Sequence, residues 1–540
     1  VAGLAAAFGS GAMTNTIACV EKADVILITG SNTTENHPVI ATGVKRAVES
    51  GRTKLVVVDP RRIPISRFAA IHLRQNLGTD VAWINGMMHV IIAEDLYDKP
   101  FVETRTEDFE ALKAMVAKYT PAHVEAITGI PAADLAEAAR CYARAAVGNI
   151  IYCMGITQHV TGTDNVKSLA NLAMLCGHLG KEGGGVNPLR GQNNVQGACD
   201  MGGLPNVFTG YQAVTSEDIS GKMGQAWGVE GLSLKVGLKA TEMFPAAHDG
   251  RLKAMVVIGE NPLVSDPDLN HAEACLAKLD LLVVQDIFMT ETAQRAHVVL
   301  PGRCFAEKDG TFSNTERRVQ LVRKAVDPPG EAWDDWKIIG EIASRMGYPM
   351  TYADPEAIFE EIRQVTPSYA GISYARIAME GLHWPCPNDE HPGTPVLHRD
   401  QFTRGKGKFH AIEWQPPAEV VDEEYPLYLT TGRVLYQYHT GTMTMRSEGL
   451  MNRAPESFVE ISPRDASHYG VADGSRIRIA SRRGTIDAVA KVSPVAVAGT
   501  VFIPFHYAQA AANKLTNAEL DPISGIPEYK VCAVRLSPQP

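Results

Sequence analysis

One charged side chain, Arg190, stands in the stretch GGGVNPLRGQNNVQG (183–197), surrounded by glycines and side-chain amides. A guanidinium stays ionised and presents two parallel N–H donors, a geometry that holds and orients a carboxylate. The glycines at 183–185 and 191 allow a bulky ligand to lie against bare backbone, and Gln192, Asn193 and Asn194 add donors and acceptors. The bland alternatives are a solvated loop arginine and glycines that merely cap a helix and make a turn. His159, in GITQH, is a second group with chemistry, either moving a proton or packing as a buried ring.

Strands and helices must bring such residues together. ADVILITG (23–30) is an apolar run ending in glycine, followed by the polar loop SNTTENHP, a helical stretch and the strand KLVVVDP with Asp59. This predicts a βαβ unit whose first turn lies where open parallel sheets bind nucleotides. The pattern recurs downstream: KAMVVIGENP ends a strand at Gly259, and LDLLVVQDIF closes with Asp286. Even the loop words agree, Glu35-Asn36-His37-Pro38 against Glu260-Asn261-Pro262. Two such units suggest two nucleotide-like ligands, although neither loop carries the full G-x-G-x-x-G fingerprint and repeated βαβ units need not all bind one. Residues 81–146 read as helical, and NIIYCMGITQ as a further strand before a helix that runs into the Arg190 loop. The Pro-, Gly- and charge-rich segment 384–425 is the best linker, and from Pro426 onward short strands separated by ADGS and RRGT predict a small β-barrel.

Composition narrows the classes. The 540 residues, with 45% hydrophobic side chains, suffice for several domains. Against 51 basic residues stand 61 acidic ones, a net charge of −10, which argues against a nucleic-acid surface and makes any anion site a local feature. The 9 cysteines show no C-x-x-C spacing and read as reduced thiols of a cytoplasmic enzyme. No apolar run is long enough for a membrane span. The opening VAGLAAAFGSGAM lacks an initiator Met and reads like the middle of something.

The segment MGITQHVTGTDNVKSLANLAMLCGHLGKEGGGVNPLRGQNNVQGACDMG resembles the active-site region of molybdenum- or tungsten-dependent formate dehydrogenases, and the likeness extends over essentially the whole chain. The resemblance implies an α/β fold of two pseudo-repeated nucleotide-binding parallel-sheet domains, expected at 1–192 and 193–415, followed by a double-psi-like β-barrel at 424–540. It implies Mo or W between two molybdopterin guanine dinucleotides, formate and carbon dioxide as substrate and product, and iron–sulfur and flavin subunits that carry electrons to NAD. Arg190 is then the substrate-binding arginine, with His159 beside it. Cofactor contacts are implied for Gly30, Ser31, Asn32, Glu35, Asp59, Arg61, Gly78 and Asp80, and for Met154, Gly155, Gln158, Gly191 and Gln192. In the second unit they fall on Gly259, Glu260, Asn261, Gln285 and Asp286; in the barrel, on Thr431, Arg433, His439, Gly441, Thr442, Asn513, Tyr529 and Lys530. The family's 4Fe-4S domain, and the Cys or selenocysteine-His pair at the metal, precede the position where VAGL begins, so no metal ligand is assigned here. A related nitrate reductase and a metal-free scaffold of a respiratory-type complex are the alternatives.

Overall fold

The computed structural model describes residues 1–538, so the last two positions of the expected barrel domain lie outside the described residues. The chain divides into two compact units, one of Val1–Gly191, Val264–Asn270 and Val396–Pro540, the other of Gln192–Leu263 and His271–Pro395.

The first unit is built on a parallel sheet of β1 (Val25–Thr29), β2 (Lys54–Val58), β3 (Ile71–Leu73), β4 (Gly148–Tyr152) and β5 (Gly185–Pro188), in spatial order β3-β2-β1-β4-β5. A strand buried on both faces needs apolar residues at every position, and VILIT supplies them. Val25 and Leu27 enter one hydrophobic cluster with Trp83, Met87 and Leu169. Ile26 and Ile28 enter another with Ile40, Ala41 and Val44. The helices Asp80–Ala93 and Gly162–Leu175 thus cover one face, and Pro38–Glu49 the other. From β1 the chain steps to β2 on one side and later to β4 on the other, which opens a crevice beyond the carboxyl ends of β1 and β4, the usual ligand position in such sheets.

The same unit holds the barrel. Strands β12 (Leu427–Gly432), β13 (Phe458–Ile461), β14 (Arg476–Ala480), β15 (Thr485–Val492), β16 (Thr500–Pro504) and β17 (Cys532–Pro538) close in the order β12-β16-β13-β15-β14-β17. Leu429, Val459, Ile461, Ile477, Ile479, Val501, Ile503 and Val534 fill it.

In the second unit, β6 (Ala254–Ile258), β7 (Leu281–Asp286) and β8 (Val298–Pro301) form a three-stranded parallel sheet in which β7 is central. Met255 and Val257 enter its core, whereas Val256 and Ile258 are 58% and 46% exposed. An antiparallel sheet of β9 (Gly310–Ser313), β10 (Arg318–Val322) and β11 (Leu382–His383) completes the unit.

Candidate active site

At the crevice of the first unit, Gly30 ends β1 with a φ of 56°, and Gly155 follows β4. The loop after β1 turns through Ser31, whose hydroxyl meets that of Thr33 at 2.9 Å, into two successive helices, Thr33–Asn36 and Pro38–Glu49, with His37 between them. Asn32 Oδ1, Thr34 Oγ1, Asn36 Oδ1 and His37 Nδ1 are buried there with no hydrogen-bond partner in the protein. Buried polar atoms are almost always partnered, so the unmet acceptors of Asn32 and Asn36 mark a place where a ligand's N–H or O–H edge belongs. Glu35 lies half-buried in the same loop.

Across the crevice, Asp59 follows β2 and accepts a hydrogen bond from the Arg61 amide at 2.9 Å. Burial pushes its carboxyl up to about 6, against the opposing pull of Arg61. The Arg61 guanidinium is committed within the protein: it pairs with Glu460 at 2.9 Å and lies 3.6 Å above the Phe502 ring, tying the sheet to the barrel. Gly78, with positive φ, gives its carbonyl to Trp414 Nε1 at 2.9 Å. Asp80 begins the helix Asp80–Ala93, accepts from Trp83 Nε1 at 3.1 Å and lies 3.8 Å from His159 Nε2. That nitrogen is 2.9 Å from the Gly155 carbonyl, so Nε2 carries the proton and donates it there. Burial holds His159 neutral by pushing its pKa down, and leaves Nδ1 as a buried acceptor with no partner. Met154 starts the short helix Met154–Thr157, and the Gln158 carbonyl accepts from the Lys530 amide at 3.3 Å.

Arg190 comes two residues after β5. The carbonyl before it, of Leu189, accepts from Cys153 Sγ at 3.1 Å; its own carbonyl is 2.6 Å from His37 Nε2; that of Gly191 accepts from Arg433 Nη1 at 2.7 Å. The glycines at 183–185 meet protein: a side chain at Gly185 would strike Thr14 Oγ1 at 2.1 Å, and one at Gly184 the His178 carbonyl at 2.3 Å. Their role here is the turn into β5, the blander of the two expectations.

The barrel brings further cations. Lys530 is buried, donates to the Thr431 carbonyl at 2.5 Å, and is pushed down to about 8 by burial. Thr431 Oγ1 holds the Tyr529 carbonyl at 2.8 Å. His439 has a φ of 49° and gives its carbonyl to His506, while burial pushes its ring down to about 4. Gly441, with a φ of 74°, separates Thr440 and Thr442, whose hydroxyls are 3.0 Å apart. Asn513 donates to the carbonyls of Val264 and Ser265, and Tyr529 donates to that of Ser265, so this pair grips a chain segment, although Asn513 Oδ1 stays buried and unpartnered.

In the second unit, Gly259 turns with a φ of 62°, and Glu260 beside it is half-buried. Asn261 spends its amide internally, donating to Glu291 and accepting from Thr292 at 2.8 Å each. Gln285 donates to Asp335 at 2.6 Å, and Asp286 Oδ1 accepts from the amides of Ile287 and Phe288. Gln192 is the first residue of this unit. Missing from the expected residues are His37 and Cys153; the loop word His37-Pro38 was visible, but only tertiary contact shows what its ring reaches.

Comparisons with known proteins identify the family. The Molybdopterin oxidoreductase family profile matches residues 4–345, and the Molydopterin dinucleotide binding domain matches 427–533. The F420-dependent formate dehydrogenase 1 subunit alpha of Methanococcus maripaludis is 51% identical over 99% of this chain and 79% of its own length. The F420-dependent formate dehydrogenase subunit alpha of Methanocaldococcus jannaschii is also 51% identical, over 99% and 80%. Formate dehydrogenase H of Escherichia coli is 40% identical over 100% and 76%. Acetylene hydratase from Pelobacter acetylenicus shares the fold, with a TM-score of 0.80 at 23% identity, covering 100% of this chain and 80% of that one.

A molybdopterin dinucleotide suits the residues of the first unit. Unmet acceptors on Asn32 and Asn36 await N–H donors of a heterocycle, and the buried Lys530 and half-buried Arg433 cations favour an anionic ligand. The chain belongs to the molybdopterin oxidoreductase family, among the formate dehydrogenase alpha subunits.

Proposed function

We propose that this chain is the catalytic part of a formate dehydrogenase, oxidising formate to carbon dioxide with Mo or W held between two molybdopterin guanine dinucleotides. Formate gives up a C–H bond, two electrons and a proton. The bound metal and pterins supply the two-electron sink that amino-acid side chains lack. Arg190 holds the carboxylate through paired N–H donors and fixes which end of formate meets that sink. Neutral His159, with Nε2 committed to Gly155, offers Nδ1 in the same crevice as a place to hold the proton. The loop after β1, with Ser31, Asn32 and Glu35, would bind one cofactor arm. Gly259, Glu260, Asn261 and Asp286 would bind the other, as the repeated loop words suggest. Electrons leave through iron–sulfur and flavin partners. F420 replaces NAD as the acceptor in this proposal, because two alpha subunits 51% identical to this chain are named for F420.

The observation that carries the reading is Arg190 itself, a single cation on a loop anchored at successive carbonyls, in a chain 51% identical to formate dehydrogenase alpha subunits. The test is a comparison of substrates and acceptors on the enzyme purified with its cofactor and partner subunits. Formate should reduce a viologen dye and F420. Reoxidation of reduced viologen by nitrate, with no formate activity, would establish the nitrate reductase instead.

A further inference from the structure

Three consecutive carbonyls, those of Leu189, Arg190 and Gly191, each meet a side chain from a different element. Cys153 comes from the end of β4, His37 from the junction of two helices after β1, and Arg433 from just beyond β12. Loop carbonyls outside a sheet ordinarily face water or another backbone amide, so three side chains in a row are a costly way to satisfy them unless the position of the segment matters. These carbonyls belong to the three successive peptide planes that join residues 189 to 192, so the Cα of Arg190 lies between two fixed planes.

His37 is the member in contact with Arg190's own peptide. Its backbone is locked: the His37 amide donates to the Thr33 carbonyl at 2.9 Å, its carbonyl accepts from Ala41 at 2.9 Å, and Pro38 opens the next helix. A carbonyl only accepts, so Nε2 carries the proton. The imidazole holds the Arg190 carbonyl while the Arg433 guanidinium holds the next one, that of Gly191.

We infer that His37 is a positioning residue for Arg190, setting the backbone from which the guanidinium reaches formate. This rests on the formate reading of Arg190 for its kinetic consequence, but not for its structural one. In the holoenzyme with its partner subunits, His37→Leu removes the donor and His37→Gln restores an N–H at a similar reach. With viologen as acceptor, His37→Leu should lower kcat/KM for formate about tenfold, chiefly through KM, and His37→Gln should recover most of it. Metal content and melting temperature should stay near wild type in both. Hydrogen–deuterium exchange at the amides of residues 189–191 should quicken in His37→Leu but not in His37→Gln. Unaltered KM and exchange in a fully metallated His37→Leu enzyme would overturn the inference, and so would loss of metal from that variant, which would assign His37 to the cofactor. If wild-type enzyme fails to oxidise formate, the function falls while the exchange measurement still decides the positioning role.

Discussion

Gly155 and Gly30 touch where β4 and β1 end: the Gly155 amide donates to the Gly30 carbonyl at 2.9 Å, and a Cβ on Gly155 would lie 2.5 Å from the Gly30 Cα. Two strand ends pressed this closely leave no place for a side chain on either, because the atoms that an added Cβ would meet belong to backbone. Gly155→Ala should therefore force the two loops apart, at a cost of about 1–3 kcal/mol. The expected result is a lower melting temperature together with reduced metal content; a variant with wild-type values for both would show that the contact is looser than it looks.

Asp200 is the hub of the second unit. Its two oxygens accept from Gln196, Tyr211, Tyr369 and Trp384, at 2.8, 2.9, 2.5 and 2.7 Å. All four partners donate, and an amide in place of the carboxylate would point its own donor at two of them. Asp200→Asn should destabilise this unit by roughly 3 kcal/mol, read as an earlier thermal transition. A melting curve superimposable on wild type would mean that the network is not under tension.

Glu528 supplies a pH dependence. It is buried, accepts from the amides of Val160, next to His159, and Ala418, and burial pushes its carboxyl from 4.5 up to about 7. A carboxyl whose pKa is raised on folding keeps its proton more firmly in the native state. Its contribution is thus complete below pH 4.5 and is lost as the pH rises through 7, by up to about 1.4 kcal/mol per pH unit. Melting temperatures measured from pH 5 to 8 should fall less steeply in Glu528→Gln than in wild type. Parallel curves would contradict the assignment.

Lys530 tests the proposed cofactor contacts. Burial pushes its ammonium down to about 8, a sign that the native protein alone holds this charge at a cost. Lys530→Met should leave the cofactor-free protein at least as stable, within about 1 kcal/mol for the lost bond to the Thr431 carbonyl, while metal content falls severalfold. Full metal occupancy in this variant would remove Lys530 from the cofactor contacts.

Much of this fold is written plainly in the sequence because strands buried on both faces leave unbroken apolar runs. ADVILITG and KLVVVDP become β1 and β2, and the short strands after Pro426 close into the barrel. What the sequence hides are elements made by their surroundings. GVNP, read as loop, becomes β5 because the edge of β4 offers it a ladder and because Asn187 is bonded by Asn149 and the Asn15 amide. The runs VILIT and AMVVI look alike, yet the first is buried throughout and the second on alternate residues only. Of the site, Arg190 and the glycines at strand ends stand out by residue type. The His159–Asp80 approach and the hold of His37 on Arg190 join residues far apart in the chain, so neither leaves a local signal. Arg61 and Asn261 were legible as polar residues at strand ends, but their hydrogen bonds to Glu460 and to Glu291 and Thr292 could not be read from spacing.

The most direct test is Arg190→Lys in the holoenzyme, assayed for formate turnover alongside elemental analysis for Mo and W. Lysine keeps the charge but loses the paired donors that orient a carboxylate. A substrate role predicts unchanged metal content with kcat/KM for formate lowered about a hundredfold, on the order of 3 kcal/mol of transition-state stabilisation. Turnover equal to wild type would contradict it.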